Sequence, residues 1–235
     1  METPKISVII PHYNHRAQLP RAIESILAQT YQDFEIIIVN QSFMQPVDNY
    51  CLNDKVRVVT VAGHLGTSIA MNLGIDRAEG DFIAIQDADD ASMNYRFGVC
   101  EKYMKDYDLI YGDMINVDRK GHFTYIEAHD FTEKVLSKIS LAVSSSIMVK
   151  TEIAKQVPFR EGIGYGNDRI WTLDLLKSGL VKKWIHIGIP FYYFHNYTST
   201  YRVRPGKLPY LDAIRGRLRL RRLRKECQRE VDEIL

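Results

Sequence analysis

Short apolar runs rich in Ile and Val recur along the first half of the chain. They read ISVII (6–10), FEIIIV (34–39), VRVVTV (56–61) and FIAI (82–85). A strand that is covered on both faces has this unbroken pattern, because neither side of the pleat has to be polar, and parallel strands are usually covered in this way. The pattern therefore predicts four buried, parallel strands.

Two segments between these strands have apolar residues at helical spacing. The apolar positions are Leu19, Ile23, Ile26 and Leu27 in the first segment and Ile69, Ala70 and Leu73 in the second. We expect the second helix to end near Gly74, since glycine commonly terminates helices. The order strand, helix, strand, strand, helix, strand predicts a layered α/β unit over residues 1–117.

The second half of the chain has a looser pattern. Its predicted elements are a hairpin over 108–128 that turns at Lys120 and Gly121, a strand over 144–149 (SSSIMV) and a helix over 168–179 that ends at Gly179. The positions expected to face inward from this helix are Ile170, Leu173 and Leu176. Since no repeat or low-complexity linker separates the halves, we predict that the second half extends the same sheet within one domain.

Residues 205–235 form a C-terminal tail that is more basic than the domain before it. Pro205 and Pro209 separate it from the domain, and 211–235 is predicted to be a helix. Its apolar positions are Leu220, Leu223, Cys227, Val231 and Ile234, and its basic run contains Arg215, Arg217, Arg219, Arg221, Arg222, Arg224 and Lys225. Such a helix suits packing on the domain or self-association, which we rank first, or contact with an anionic membrane surface.

The composition of the chain excludes several classes of protein. With 235 residues, 46% of them hydrophobic and 26% charged, the chain is too apolar to be disordered, and its net charge of +2 indicates no particular partner. Cys51, Cys100 and Cys227 have no CxxC spacing, so neither a zinc site nor a disulfide framework is indicated. No run of about 20 apolar residues marks a membrane span. We expect a cytoplasmic protein, at most peripheral at the inner face of the cell membrane, and no nucleic acid partner, because the basic tail has no aromatic platform.

Three carboxylates, Asp87, Asp89 and Asp90, follow the predicted strand at 82–85 within four positions. Ligands of open α/β sheets bind outside the carboxyl ends of the strands, and carboxylates gathered there suit a hard divalent cation, Mn²⁺ or Mg²⁺. The cation would relieve the repulsion between the charges. The alternative is a solvated turn in which Asp90 is the N-cap of a following helix.

Three segments in a fixed order favour the first interpretation. SVIIPHYNHRAQLPRAIESILAQTYQDFEIIIVNQS (7–42), GTSIAMNLGIDRAEGDFIAIQDADD (66–90) and GYGNDRIWTLDLLKSG (164–179) resemble the nucleotide-binding and acceptor blocks of the family 2 inverting glycosyltransferases of GT-A fold. The resemblance covers residues 6–195. It implies a Rossmann-like nucleotide-diphospho-sugar transferase fold, an α/β fold with a mixed, mainly parallel sheet flanked by helices, here with a basic C-terminal helix. It divides the single domain, residues 1–204, into a nucleotide-binding half (1–117) and an acceptor half (118–204).

The resemblance also implies roles for individual residues. Pro11 and Tyr13 would lie against the nucleobase, Asn40 stands where the family has an Asp that pairs with uracil, Asn72 matches an expected asparagine of the donor nucleotide site, and Asp87 would approach the ribose. Asp89 would bind the divalent metal that bridges the donor diphosphate, and Asp168 falls on the general base. His195, which follows the last predicted strand, is a candidate for the same metal or for the diphosphate.

Three of these assignments have a structural alternative that the sequence leaves open. Asp168 would cap the helix that begins near Arg169, Tyr13 would pack at the edge of the core, and His195 would be a satisfied structural histidine.

Several positions depart from the family pattern. The two aspartates expected after the second strand are Asn40 and Gln41, the expected Arg is Met71, the Asn expected ahead of Gly66 is His64, and the Glu expected before the base is Asn167. Because an asparagine offers both a carbonyl acceptor and an amide donor, cytosine becomes compatible with this pocket as well as uracil. The departures lead to the hypothesis of a non-standard or relaxed donor nucleotide.

Taken together, the sequence predicts a metal-dependent inverting glycosyltransferase that moves a sugar from a nucleotide-diphosphate donor to a hydroxyl acceptor. The family analogy points to surface polysaccharide or glycolipid biosynthesis, with a glycan or lipid-linked glycan as the acceptor. One alternative is a glycosyltransferase-like module that binds nucleotide or sugar without catalysis. A second is a sugar-nucleotide pyrophosphorylase, which would need a glycine-rich phosphate loop where this sequence has PHYNHRAQLP (11–20).

Overall fold

The structure is a computed structural model that describes residues 5–42, 47, 53–126, 128, 144–163 and 166–195. The predicted tail helix over 211–235 lies outside these residues, with Pro205 and Pro209, and so do Cys51 and Cys227. Within the described part of the chain, no helix is both long enough and apolar enough to cross a membrane.

In this part of the chain, nine strands form one mixed sheet. They are β1 (Ile6–His12), β2 (Phe34–Asn40), β3 (Val56–Thr60), β4 (Phe82–Ile85), β5 (Ala91–Ser92), β6 (Leu109–Val117), β7 (Phe123–Ile126), β8 (Ile147–Lys150) and β9 (Trp184–His195). Their order is β3-β2-β1-β4-β8-β6-β9-β5, and β7 also pairs with β6. The first four strands of this order are parallel, whereas β8 runs antiparallel to both β4 and β6.

Helices cover both faces of the sheet. The described helices are α1 (Leu19–Leu27), α2 (Thr67–Asp76), α3 (Arg96–Glu101), α4 (Thr151–Gln156) and α5 (Asn167–Lys177). Residues of α1 and α3 share a core with Ile6, Val8 and Ile10 of β1, whereas α2, α4 and α5 share the other core with Ile9. Because alternate residues of a strand point to opposite faces, one unbroken apolar strand packs against both helix layers.

The predicted elements of the first half are all present, and their four strands are parallel, as predicted. The expectation that all four are buried is wrong for β3, which lies at the edge of the sheet and buries only Val56. The predicted hairpin is confirmed as β6 and β7, and its turn contains Gly121 at φ +73°. Helix α2 continues beyond its expected end at Gly74, as far as Asp76. Gly74 instead lets the helix approach the sheet, since a Cβ there would lie 2.3 Å from Cγ2 of Ile9.

The prediction for the inward face of α5 is confirmed only in part, because Leu173 and Leu176 pack against the core but are not its most buried residues. Its buried residues are Asn167, Trp171, Thr172 and Leu175, whereas Ile170, Leu173 and Leu176 are only partly buried. Trp171 fixes the rotation of the helix, because its ring stacks on Phe159 at 4.2 Å and its Nε1 donates to the carbonyl oxygen of Val157 at 2.7 Å. Burial gives the indole both a ring contact and a hydrogen bond, so it stabilises this orientation of the helix more than burial of the aliphatic side chains would.

At Gly112, strand β6 packs closely against β9, and a substitution at this position tests that packing. A Cβ at this position would lie 2.5 Å from the ring of Phe191 and 2.8 Å from the carbonyl oxygen of Ile189, whereas a Cβ at Gly188 would meet nothing within 4 Å. We expect Gly112→Ala to lower the free energy of unfolding in urea by about 1–3 kcal/mol, because an atom is forced into a filled core. Gly188→Ala is the control and should change it by less than about 0.5 kcal/mol. Equal effects of the two substitutions would contradict this packing.

Candidate functional site

The carboxyl ends of β1, β2 and β4 lie side by side at one edge of the sheet, because these strands are parallel neighbours. The Asp-rich loop, residues 86–90, leaves β4 at this edge, and Asp168 lies in the first turn of α5. Asp89, Asp90 and Asp168 are each close enough to Asp87 to raise its pKa. The structure therefore brings together the carboxylates that the sequence singled out, and we call these four residues the carboxylate cluster.

Asp87 is held by two hydroxyl groups from distant elements. The Oγ of Ser145 donates to its Oδ2 at 2.6 Å, and the OH of Tyr192, on β9, lies within hydrogen-bond distance of the same oxygen at 2.9 Å. Burial is the main reason why the pKa of Asp87 rises to about 8, and the charges of Asp90, Asp168 and Asp89 add to the rise. A proton or a cation beside Asp87 would therefore lower the energy of the site.

Asp90 anchors the Asp-rich loop to β9. It is 1% exposed and accepts hydrogen bonds from the OH of Tyr192 and from the backbone N–H of His195, the latter at 2.6 Å. The imidazole of His195 lies beside the same carboxylate, with its Nδ1 3.4 Å from Oδ1. The alternative in which Asp90 caps a helix is wrong, since β5 follows it and the next helix begins at Arg96. His195 has a partner within the protein, and its role as a metal ligand stays a prediction.

Asp168 combines burial with an oriented carboxylate. Its Oδ1 accepts a hydrogen bond from the Oγ of Ser144 at 2.6 Å, and burial raises its pKa. Gly166 occupies the N-cap of α5, and no side chain caps that end, so the capping role considered for Asp168 is not observed. A carboxylate with a raised pKa is a stronger proton acceptor than an exposed one, which suits it to acid–base chemistry.

Two arginines fix the backbone around the cluster. The guanidinium of Arg21, on α1, donates to the carbonyl oxygen of Asp89. Arg96 is fully buried and donates to the carbonyl oxygens of Ile85 at 3.4 Å and Ile147 at 3.1 Å, which joins the end of β4 to the start of β8. Because burial disfavours its charge, the pKa of Arg96 is lowered to about 10. These contacts hold the Asp-rich loop from both of its flanks.

The cluster has the chemistry of a cation site without a complete ligand set. Among the described residues, no three His, Cys, Asp or Glu side chains converge on a ready-made metal site. Carboxylate oxygens such as those of Asp87 and Asp89 are the ligands that Mg²⁺ and Mn²⁺ prefer, and Mg²⁺ usually binds through one or two carboxylates while phosphate and water oxygens complete its shell. The residues therefore fit a divalent cation that arrives with a phosphate ligand.

A second group of predicted residues lies where β1 ends. Tyr13 directly follows β1 and is 38% exposed, and its ring stacks on that of His64 with centroids 4.0 Å apart and planes at 26°. Pro11 pairs in register with Val39 and is partly buried. An exposed aromatic ring offers a surface on which a flat ligand can stack.

Two of the predicted polar residues are bonded inside the protein. Asn40 is 2% exposed; its Oδ1 lies 3.1 Å from both the Nδ1 of His12 and the backbone N of Ser42, and its Nδ2 donates to the carbonyl oxygen of Ser42 at 3.2 Å. Asn72 exchanges two hydrogen bonds with the backbone of Phe159, at 2.8 and 2.9 Å. A ligand would have to displace these partners to reach either amide. A direct binding role for Asn40 and Asn72 stays a prediction.

Other positions at which the sequence departs from the expected pattern also bond or pack internally. The Oε1 of Gln41 accepts a hydrogen bond from the backbone N–H of Leu65 at 2.8 Å. The Nδ2 of Asn167 donates to the Oγ of Ser68 at 2.8 Å, which ties α5 to the start of α2. Met71 is 2% exposed in the core. At these three positions a neutral side chain contributes to the fold where a charged one was expected.

Sequence reasoning missed the residues that hold the cluster in place. They are Arg21, Arg96, Ser144, Ser145 and Tyr192. The run of three serines just before a predicted strand was a usable signal for Ser144 and Ser145, because hydroxyl groups at a strand end are available to a neighbouring carboxylate. Tyr192 follows an aromatic residue and precedes two others in the chain, and no local pattern distinguishes it from them.

Known proteins are similar to this chain over much of its length. Residues 7–159 match the model of the family described as glycosyl transferase family 2. An uncharacterized glycosyltransferase of Methanocaldococcus jannaschii, MJ1057, is 33% identical over 177 residues, which cover 68% of this chain and 61% of that protein. The glycosyltransferase GlyG of Streptococcus pneumoniae is 33% identical over 141 residues, which cover 56% of this chain and 47% of that protein.

Solved structures share the architecture. The structure of S. aureus TarS 1-349 has a TM-score of 0.68 at 19% identity and covers 82% of this chain. The complex of the same protein with UDP-GlcNAc has a TM-score of 0.68 at 18% identity and covers 86% of this chain. This chain spans about 60% of TarS 1-349, 61% of the archaeal relative and 47% of GlyG.

His12 makes the stability of this region depend on pH. Its ring is fully buried, its Nε2 has no hydrogen-bond partner among the described residues, and burial lowers its pKa below the ordinary value of 6.5. The folded protein therefore holds a neutral imidazole, while the unfolded chain takes up a proton as the pH falls through 6.5. The stabilisation is complete above about pH 6.5 and is lost as the pH falls toward the lower pKa of the folded state.

We expect the free energy of unfolding of the wild type to decrease from pH 7 to pH 5 more than that of His12→Asn, which has no proton to gain there. The difference in slope is at most about 1.4 kcal/mol per pH unit, the value for one proton. Urea unfolding followed by circular dichroism at the two pH values measures it. Parallel decreases in the two proteins would show that His12 takes up no proton on unfolding.

Proposed function

We propose a donor, a reaction and catalytic residues for this chain, which belongs to glycosyl transferase family 2, as its match over residues 7–159 shows. The likeness to TarS confirms the predicted fold class, a mixed α/β sheet of GT-A type flanked by helices. In the proposed reaction, a sugar moves from a nucleoside-diphosphate donor to a hydroxyl acceptor with inversion of the anomeric carbon. The observation that carries this proposal is the carboxylate cluster, in which Asp168 from the second half lies beside Asp87 from the first.

The similar proteins support a sugar nucleotide as the substrate. The archaeal relative and GlyG are both named glycosyltransferases, and TarS has been solved in complex with UDP and with UDP-GlcNAc. A diphosphate also matches the chemistry of this site, since its oxygens would complete the ligand shell of a cation at the cluster.

Asp168 is the proposed general base. The acceptor oxygen forms a bond to the anomeric carbon while the bond from that carbon to the diphosphate oxygen breaks, and the electron pair of the broken bond leaves with the nucleoside diphosphate. The hydroxyl proton passes to Asp168, whose pKa is raised by burial, which makes its carboxylate a stronger proton acceptor. Ser144 orients the carboxylate through its 2.6 Å hydrogen bond to Oδ1. Attack from the face opposite the leaving group inverts the anomeric carbon in one step.

Asp89, with Asp87 beside it, is the proposed holder of Mn²⁺ or Mg²⁺. The metal, when bound, supplies positive charge that neutralises the leaving diphosphate. Ser145 and Tyr192 keep Asp87 in place, and Arg21 holds the backbone of Asp89. These contacts position the carboxylate of Asp87 and the backbone of Asp89.

The donor nucleotide is proposed to lie along the ends of β1 and β2. Pro11 and Tyr13 lie against the base, Asp87 approaches the ribose, and Asn40 and Asn72 shape the site through the backbone groups that they hold. Because an amide stands at position 40 where a carboxylate was expected, base recognition depends on neutral groups. We therefore propose a non-standard or relaxed preference for the donor base.

The proposed acceptor is a glycan or lipid-linked glycan of surface polysaccharide or glycolipid biosynthesis. Residues 118–204, the proposed acceptor half, supply Asp168 and Ser144, so the reacting hydroxyl is expected on that side of the site. We further propose a cytoplasmic enzyme whose tail, residues 205–235, contacts a membrane surface or a second copy of the chain.

Asp89→Ala tests the metal and donor site. We expect calorimetric titration of the wild type with UDP, CDP, GDP and dTDP to find at least one nucleotide that binds only in the presence of Mn²⁺. The substitution should weaken that binding at least about tenfold, since even an outer-shell partner contributes about 10- to 100-fold to metal affinity. Asp81→Ala, just before the opposite end of β4, is the matched control and should bind as the wild type does. Metal-independent binding, or unchanged binding in Asp89→Ala, would rule out the metal role.

Asp168→Asn tests the general base. The new side chain keeps an oxygen for the hydrogen bond from Ser144 but takes up no proton, so kcat for release of nucleoside diphosphate from a sugar nucleotide of the bound base should fall about 10²–10⁴-fold, with little change in KM. Asp174→Asn, on the same helix and paired with Arg160, should keep its activity. Unchanged turnover in Asp168→Asn would refute the assignment, and nucleotide binding without turnover in the wild type would favour the non-catalytic binding module.

A further inference from the structure

An aromatic pair stands at the base end of the proposed donor site. Tyr13 directly follows β1, and His64 lies in the loop between β3 and α2. The ring centroids are 4.0 Å apart and the planes are at 26°, so the two rings are stacked. Tyr13 is 38% exposed, which means that the stack leaves part of its surface open.

The loop that carries His64 has a defined path. Gly63 and Gly66 flank it with φ values of +83° and +96°, which L side chains rarely adopt, and a Cβ on either would meet nothing within 4 Å. The backbone N–H of Leu65 donates at 2.8 Å to the Oε1 of Gln41, a residue that is 3% exposed just after β2. The glycines are therefore needed for the backbone conformation, and the bond to Gln41 ties the loop to β2.

This end of the site offers ring surface and neutral groups. Leu65 is 43% exposed next to the stacked pair, and the amides of Asn40 and Gln41 stand where carboxylates were expected. Both amides have hydrogen-bond partners within the protein. What remains for a ligand is the open face of Tyr13, so a flat, uncharged heteroaromatic group is the chemical class that fits.

We propose that His64 is a positioning residue for base recognition: its ring backs Tyr13 and holds it in place, and the base of the donor nucleotide stacks on the face of Tyr13 that His64 leaves open. This inference rests on the proposed function, because it requires the donor to lie along β1 and β2. An exposed tyrosine with no ring beside it samples other rotamers, and a ligand must then fix it on binding. A stacked aromatic pair shifts an equilibrium constant by about two- to tenfold, which is the size of effect expected here.

The inference is tested by titrating the wild type, His64→Asn and His64→Phe in the presence of Mn²⁺. The ligands are the tightest binder among UDP, CDP, GDP and dTDP, and inorganic pyrophosphate as a probe without a base. We expect His64→Asn, which removes the ring, to weaken nucleotide binding about three- to tenfold and to leave pyrophosphate binding unchanged. His64→Phe, which keeps a ring, should stay within about twofold of the wild type. His122→Asn, at an exposed histidine before β7, is the matched control.

A double-mutant cycle separates positioning from a direct contact. If His64 acts through Tyr13, His64→Asn has no further effect on nucleotide affinity in a Tyr13→Ala background. Three results would overturn the inference while the proposed function stands: unchanged nucleotide affinity in His64→Asn, an equal loss for pyrophosphate, or additive losses in the double mutant. If the wild type binds none of the four nucleotides, the proposed donor site is refuted, and so is the proposed role of His64.

Discussion

Carboxylates repel one another at one edge of the sheet, so the surrounding residues have to supply hydrogen-bond donors that stabilise these charges. Asp87 is partly buried among Asp89, Asp90 and Asp168, and the rise of its pKa to about 8 reflects both the burial and the like charges. Buried carboxylates are tolerated only when donors surround them. Here the donors are hydroxyl groups and a backbone N–H, contributed by the serine run before β8 and by β9. They hold the cluster together in the absence of a ligand, and a cation would offset the repulsion that remains.

The mixed order of the strands is what makes these donors available. Tyr192 is 105 residues from Asp87 in the chain, and Ser145 is 58 residues from it. Strand β8 inserts antiparallel between β4 and β6, so the serines that precede it reach the edge at which β4 ends. Strand β9, parallel to β6, ends at the same edge with His195 against Asp90. One half of the domain thereby completes a site that begins in the other.

The two ends of the proposed donor site differ in chemistry, since one end is charged and the other is aromatic. A nucleoside diphosphate has the same arrangement, with charged phosphates at one end and a flat base at the other. At one end, Asp89 offers carboxylate oxygens to a cation, and the oxygens of a diphosphate would complete the ligand shell of that cation. At the other end, Tyr13 and His64 form a stacked pair at the end of β1. The side-chain oxygen of Gln41 accepts a hydrogen bond from the loop that carries His64, which helps to place the second ring.

The sequence by itself determined the features that depend on neighbours along the chain. These are the four parallel strands, the helices and hairpin among them, and the Asp-rich loop at a strand end, since apolar periodicity and turn residues act locally. The apolar run of β3 did not show that this strand lies at the edge of the sheet, where only Val56 is buried. It misjudged the rotation of α5, because the partners that bury Trp171 precede the helix and are reached only when the chain folds back. It also gave no sign that the amides of Asn40 and Asn72 are taken up internally. Only the tertiary structure decided these contacts and the donors to the cluster, because partners that are remote in the chain are set by strand order and register, which no local pattern encodes.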